Sequence, residues 1–124
     1  VAGKTVFAGF NEDMAPLRAC VDIFTLPSLE SEGLPRSILE AMALARPVVL
    51  TAVDGNRETV INGESGFLVP PGDVAALGEK LALLCADRNL RDKMGAAACA
   101  RQRKFFEISA ITREIEEVYE GLLQ

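Results

Sequence analysis

The chain has 124 residues, of which 49% are hydrophobic, 25% charged and 6% aromatic. This composition is typical of a soluble globular domain, or part of one, and it excludes disordered and fibrous classes. The 18 acidic and 13 basic residues give a net charge of −5, so the overall field would repel nucleic acid and anionic lipid. We therefore expect no nucleic acid as a partner, and no apolar run is long enough to span a bilayer.

The three cysteines, Cys20, Cys85 and Cys99, are odd in number and lack the spacing of a metal site. Each has apolar neighbours in the sequence, which predicts small buried side chains that remain reduced. The chain contains no histidine, so these cysteines cannot form a catalytic Cys–His pair. Reduced thiols and the lack of a signal peptide predict a cytoplasmic protein.

In the first 70 residues, short apolar runs bounded by turn residues alternate with stretches of helical type. This alternation predicts βαβ units, and therefore a parallel, Rossmann-like sheet covered by helices. Strands are predicted at 5–9, 22–28, 47–51 and 66–70, and helices at 14–20, 36–45 and 57–61.

From Pro71 onward the pattern is helical only. Asp73 is a candidate N-cap, because its carboxylate can accept hydrogen bonds from the free N–H groups of a first helical turn. Further helices are predicted at about 90–103 and after Ser109, the last of them with one apolar face. Apolar residues at helical spacing mark the helix after Asp73, namely Val74, Leu77, Leu81, Leu84 and Cys85.

Two carboxylates, Glu32 and Glu40, lie on either side of a Gly-Leu-Pro turn at 33–35. The proline of this turn suits a helix start, because its φ is near the helical value and it lacks an N–H that would stay unpaired there. The free N–H groups of Arg36 and Ser37, with the helix dipole behind them, would attract an anion such as a diphosphate.

Ionised carboxylates are hydrogen-bond acceptors and suit the hydroxyl groups of a sugar. The spacing therefore fits a ligand with phosphates in the middle and hydroxyls at both ends, which is the form of a nucleoside-diphosphate sugar. A simpler interpretation stays open, because the dipole alone favours acidic residues near a helix start. Arg36 and Glu40 can also form an ordinary i,i+4 surface pair, and composition alone favours this simpler interpretation.

The segment PSLESEGLPRSILEAMALARPVV at 27–49 resembles the signature of family 4 glycosyltransferases. These are retaining enzymes of the GT-B type, which have two Rossmann-like domains. Two glutamates separated by seven residues, then Ala-Met-Ala and a Pro-Val-Val strand, carry the resemblance. It continues through DGNRETVINGESGFLVPPGD at 54–73 into the final helices, and the Glu-Gly-Leu-Pro variant is similar to members that build capsular and other cell-surface polysaccharides.

The resemblance implies a role for each residue of the motif. Glu40 would bind the ribose hydroxyls, and Glu32, as the catalytic residue, would bind the transferred sugar. Backbone groups of Gly33, Leu34 and Arg36 would contact the diphosphate and the sugar, with the N–H of Ser37 beside them. The resemblance implies no metal and no cofactor.

Two departures from the family pattern concern the ends of the helix at 36–45. Much of the family has Gly-Phe-Gly at 33–35, so Pro35 removes one possible N–H donor. A glycine often stands at the position of Ala45 or Arg46, and the change would affect only how the helix ends. We assign Arg57 and Glu58 to helix capping or a local ion pair.

Family members are much longer than this chain, and the resemblance places 1–124 in the latter part of their second, donor-binding domain. An N-terminal acceptor domain and the first strands of the donor domain would be absent. The missing strands would lie between the strand at 5–8 and the one at 22–26, which predicts a gap or an exposed edge there.

The expected function is transfer of a hexose from a nucleoside-diphosphate sugar to a glycan or lipid-linked acceptor, with the isolated chain inactive. The parent protein would work in the cytoplasm, with the inner face of the membrane as an alternative place. A noncatalytic module that binds nucleotide sugar or another protein, built on the same fold, remains an alternative. A sugar-nucleotide epimerase is less favoured, because those enzymes do not carry this glutamate pair with Ala-Met-Ala.

Overall fold

The computed structural model describes residues 2–31 and 33–122. A parallel sheet of three strands lies between layers of helices, which confirms the predicted α/β class. The strands are β1 (Phe24–Leu26), β2 (Val48–Thr51) and β3 (Phe67–Val69), in the spatial order β1-β2-β3. A short 3-10 turn at Ala2–Lys4 precedes six helices, which are α1 (Ala15–Cys20), α2 (Arg36–Ala43), α3 (Asp54–Thr59), α4 (Val74–Ala86), α5 (Arg88–Phe105) and α6 (Ile108–Leu122).

The central strand β2 is buried along its whole length, because it pairs with β1 on one side and β3 on the other and is covered on both faces. Val48 and Leu50 pack with α2, whereas Val49 packs with α4 on the opposite face. Such a strand needs an unbroken apolar run, which the sequence supplies. Each buried aliphatic side chain of this kind stabilises the fold by roughly 1.5–3 kcal/mol.

Helix α5 contacts both helix layers and also holds α3. Its Ala98 belongs to the apolar cluster around α2, and its Met94 belongs to the cluster around α4. Arg101 then donates two hydrogen bonds to the end of α3, one from Nε to the Thr59 carbonyl at 2.8 Å and one to the Glu58 carbonyl at 2.9 Å. The position of α3 is therefore set by the core.

The predicted helices are present, with shifted ends. Asp73 caps α4 as expected, because its carboxylate accepts a hydrogen bond from the Ala76 N–H at 2.9 Å. Helix α3 begins at Asp54, ahead of the predicted start at 57. Side chains just inside this helix bind the carbonyls just before it, since Asn56 and Arg57 donate to Thr51 and Ala52 at 2.9 and 2.8 Å.

The strand predicted at 5–9 is wrong. This segment is irregular, and its apolar side chains are exposed, Val6 by 86% and Phe7 by 95%. A strand requires a neighbour for its backbone groups, and no described strand pairs with the outer side of β1. In the part of the chain that the structure describes, β1 is an open edge, as expected for this side of the sheet.

The prediction that all three cysteines are buried is also wrong. Cys20 and Cys85 are exposed and Cys99 is partly exposed, and all three are free thiols. Apolar neighbours in sequence do not bury a helical residue, because consecutive side chains lie on different sides of the helix. Leu84 is therefore fully buried against the sheet while the adjacent Cys85 faces outward.

Helix α6 is amphipathic, as its sequence predicts, but it lies outside both apolar clusters of the core. Its apolar residues Ile108, Val118 and Leu122 are exposed. Among residues 2–31 and 33–122, no helix combines the length and the hydropathy that a membrane span requires.

Helix α2 ends in a Schellman motif that contains an alanine at the position where glycine is usual. The Ala45 N–H donates to the Met42 carbonyl at 2.9 Å, and the Arg46 N–H donates to the Ala41 carbonyl at 3.0 Å. Ala45 has a φ of 54°, in the left-handed region, which costs an L-residue roughly 1–2 kcal/mol. The departure from the family pattern at this position therefore places strain at the end of the helix.

We expect Ala45→Gly to raise the free energy of unfolding by about 0.5–1 kcal/mol, because glycine adopts this φ without a Cβ clash. The matched control is Ala43→Gly in the last turn of the same helix, which should lower it by about 0.5–1 kcal/mol. Urea unfolding followed by circular dichroism measures both changes. A loss of stability in Ala45→Gly would contradict the strain assigned to this residue.

Candidate functional site

The loops that follow the three strands meet at one edge of the sheet, where parallel α/β sheets bind their ligands. They comprise residues 27–31 with 33–35, 52–53 and 70–73. Thr51 at the end of β2 donates its hydroxyl to the Ser28 carbonyl at 2.6 Å, which ties the first loop to the central strand. The loop that carries the predicted motif is therefore attached to the most buried part of the sheet.

The N-terminus of α2 is open at this edge. No side chain caps the helix, and its first backbone bond runs from the Ile38 N–H to the Pro35 carbonyl at 3.1 Å. Within residues 2–31 and 33–122, the N–H groups of Leu34, Arg36 and Ser37 have no hydrogen-bond acceptor. Three predicted donors are thus available together, with the helix dipole behind them.

Gly33, in the turn before α2, packs directly against α3. Its φ of 72° lies in the left-handed region, which glycine adopts without strain. Its carbonyl oxygen lies so close to the α-carbon of Gly55 that a Cβ at position 55 would overlap it. The turn is therefore held from one side by a neighbouring helix.

Glu40 lies one turn into α2 and is paired with two arginines. Its Oε2 lies 2.8 Å from a terminal nitrogen of Arg18 in α1, and its Oε1 lies 3.1 Å from Nε of Arg36. The Arg18 contact is an ion pair without hydrogen-bond alignment, so Oε2 is buried but has no hydrogen-bond donor among the described residues. The side chain is 28% exposed, and one carboxylate can accept about four hydrogen bonds. Acceptor capacity therefore remains.

The structure places Gly33 and Leu34 in the turn before α2, and Arg36, Ser37 and Glu40 within the helix. Their binding roles stay predictions. Glu32 lies outside the described residues, so its predicted role stays a prediction.

Two neighbours of this site were missed from the sequence. No local pattern connects Arg18 to Glu40, which is 22 residues later in the numbering. Gly55 lies ahead of the helix predicted at 57–61, so no helical pattern marked it as a close-packed glycine, whereas α3 in fact begins at Asp54.

An open groove of about 690 Å³ lies beside Glu40, between α2 and the junction of α5 with α6. Arg36, Glu40 and Phe106 are among its lining residues. A smaller apolar cavity of about 110 Å³ lies between the loops after β1 and β3. In the described part of the chain, no three His, Cys, Asp or Glu side chains are grouped so that they could hold a metal ion.

A family model described as glycosyl transferases group 1 matches residues 1–87. The chain belongs to this glycosyltransferase family. The capsular polysaccharide biosynthesis glycosyltransferase CapM of Staphylococcus aureus is 36% identical over 104 residues, which are 84% of this chain and 27% of CapM. The resemblance seen in the glutamate motif is confirmed.

Solved structures of GT-B glycosyltransferases share the fold of this group 1 chain. Anabaena Alr3699/HepE in complex with UDP matches with a TM-score of 0.86 at 30% identity, over 93% of this chain and 32% of that chain. The C-terminal domain of LpcC from Francisella tularensis matches with a TM-score of 0.74 at 28% identity, over 82% of this chain and 53% of that chain. The group 1 chain therefore spans about a quarter to a third of CapM and HepE.

We expect the two ion pairs of Glu40 to differ in strength. A double-mutant cycle with Arg18→Ala and Glu40→Ala should give a coupling of about 0.5–1 kcal/mol, because both side chains are largely buried. The cycle with Arg36→Ala should give less than about 0.3 kcal/mol, because Arg36 is exposed and the order of charges is the weaker one for an i,i+4 pair. Urea unfolding of each variant measures both couplings, and a larger coupling to Arg36 would contradict this ranking.

Proposed function

We propose that this chain forms part of the donor site of a retaining glycosyltransferase that transfers a hexose from a nucleoside-diphosphate sugar to a glycan or lipid-linked acceptor. The observation that carries the proposal is the uncapped start of α2, where the N–H groups of Leu34, Arg36 and Ser37 lie one turn from Glu40. The names of two relatives support it. HepE has been solved with UDP and with UDP-glucose, and CapM is named for capsular polysaccharide biosynthesis.

The chemistry of this helix start suits a leaving diphosphate. Cleavage of the bond between sugar and phosphate leaves negative charge on the diphosphate. Free N–H groups at a helix N-terminus, together with the dipole, stabilise charge that develops there. The donor N–H groups are fixed by the fold before the ligand arrives, so little reorganisation is needed as the charge forms.

The two glutamates would bind the polyols at the two ends of the ligand. Glu40 would accept hydrogen bonds from the ribose hydroxyls through Oε1, whose partner Arg36 is exposed, since Oε2 is buried. Glu32 would act at the transferred hexose, as the resemblance implies. Because a neutral hydroxyl brings no charge, it can bind beside Arg18 and Arg36 without displacing either.

We further propose that the chain is the latter part of a donor-binding domain whose first strands and acceptor domain belong to a longer protein. The open edge of β1 and the exposed Val6 and Phe7 support this proposal. The isolated 124 residues should therefore show no transferase activity, and turnover by them would contradict it. The three free thiols favour the cytoplasm as the compartment.

A noncatalytic module that binds nucleotide sugar is the second candidate, because the ion pairs of Glu40 are also what a purely structural carboxylate would make. Donor hydrolysis by the full-length protein separates the two functions. A transferase releases free nucleotide from UDP-glucose or a GDP-sugar, whereas a binding module protects the donor and consumes none.

We expect Glu40→Ala in the full-length protein to weaken the binding of UDP and of UDP-glucose by about 1.5–3 kcal/mol, the value of a hydrogen bond to a charged group. Glu32→Ala should lower the affinity for UDP-glucose more than the affinity for UDP, because the proposed partner of Glu32 is the hexose. Isothermal titration calorimetry measures each affinity, and GDP and GDP-sugars serve as the second donor series.

The matched control is Glu30→Ala, which removes an exposed carboxylate from the same loop and should leave each affinity unchanged. Equal affinity of wild type and Glu40→Ala for nucleotides of both series would refute the proposed donor site.

A further inference from the structure

Helix α3 is a short but firmly held element behind the loop that contains Gly33. Asn56 is buried and donates to the Thr51 carbonyl at 2.9 Å. Arg101 binds the other end of the helix through the Glu58 and Thr59 carbonyls. Both ends of α3 are thus attached to the core, one to β2 and the other to α5.

Gly55 of α3 has a backbone that any residue could adopt, because its φ is not in the left-handed region. Glycine in a helix is less favourable than alanine by about 1 kcal/mol, so another factor must favour it here. That factor is the contact with the preceding loop, since a Cβ on Gly55 would overlap the Gly33 carbonyl oxygen and lie 3.1 Å from the Leu34 nitrogen.

This contact fixes the orientation of one peptide group. The bond between Gly33 and Leu34 is trans, as are all described peptide bonds. In a planar trans peptide the C=O and the N–H point in opposite directions. Because the Gly33 carbonyl points at Gly55, the Leu34 N–H points away from α3, and it has no acceptor among the described residues.

We propose that Gly55 is a positioning residue for the donor loop. Its missing side chain lets the Gly33 carbonyl rest on α3, and this contact holds the Leu34 N–H in the direction needed to bind a diphosphate at the start of α2. The inference rests on the proposed function and adds a residue that binds nothing itself but orients a group that does.

The chain contains a matched control for this inference. Gly95 in α5 also has a backbone carbonyl against its α-carbon, that of Ala45 at the opposite end of α2. Gly55→Ala and Gly95→Ala therefore insert the same methyl group against the same kind of atom. Both should lower the melting temperature, but only Gly55→Ala would turn the peptide before α2.

The test compares UDP with uridine, which lacks the diphosphate, in the full-length protein by calorimetry. Gly55→Ala should lower the affinity for UDP by about tenfold or more, as expected for the loss of one hydrogen bond to a charged group. The affinity for uridine should stay unchanged. Gly95→Ala should leave the ratio of the two affinities as in wild type. Equal UDP-to-uridine ratios in Gly55→Ala and wild type would overturn the inference.

A second measurement needs no variant and so does not depend on whether Gly55→Ala folds. In wild-type protein labelled with ¹⁵N-leucine, the Leu34 amide resonance should shift with UDP and stay in place with uridine. An unshifted Leu34 amide resonance at saturating UDP overturns the inference. If Glu40→Ala still lowers the affinity for UDP, the proposed donor site itself is not contradicted. A wild type that binds no nucleotide refutes the donor site as well.

Discussion

The burial of β2 on both faces is the constraint on which the rest of the structure depends. Val48 and Leu50 require α2 on one side, and Val49 requires α4 on the other, so the two helices are fixed by alternate residues of one four-residue strand. Because all three strands are parallel, the loops that precede α2, α3 and α4 open at the same edge. The core therefore determines where a ligand can meet a helix N-terminus.

Two contacts attach the loop before α2 to the core elements β2 and α3. Near the start of the loop, the Thr51 hydroxyl donates a hydrogen bond to the Ser28 carbonyl. Near its end, the Gly33 carbonyl packs against the α-carbon of Gly55. Both contacts involve the backbone of the loop rather than its side chains. The geometry of the N–H groups is thereby largely independent of which side chains the loop carries. Side chains of the loop could therefore change without altering the proposed diphosphate site.

Local patterns in the sequence predicted local structure well. The apolar run of β2 and the cap at Asp73 each follow from a few neighbouring residues. Contacts between distant segments were not predictable in this way, and they include the Arg18 pair with Glu40 and the Gly55 contact with Gly33. The strand predicted at 5–9 failed for a related reason, because a strand depends on a neighbour that its own residues do not specify.

The charges at the start of α2 explain how an acidic chain could hold an anion. The net charge of −5 would repel a diphosphate at long range, but salt screens exposed charges beyond about 8–10 Å. Close to the helix start, Arg18 and Arg36 both pair with Glu40, so this carboxylate is compensated, and the uncapped N–H groups with the helix dipole supply the local attraction for an anion. Glu40 then has two compatible effects. It holds the two arginines near the helix start, and its remaining acceptor capacity is available to neutral hydroxyls. An ion pair that looks purely structural in the free protein is thus consistent with a role in binding a ligand that combines phosphates with a sugar.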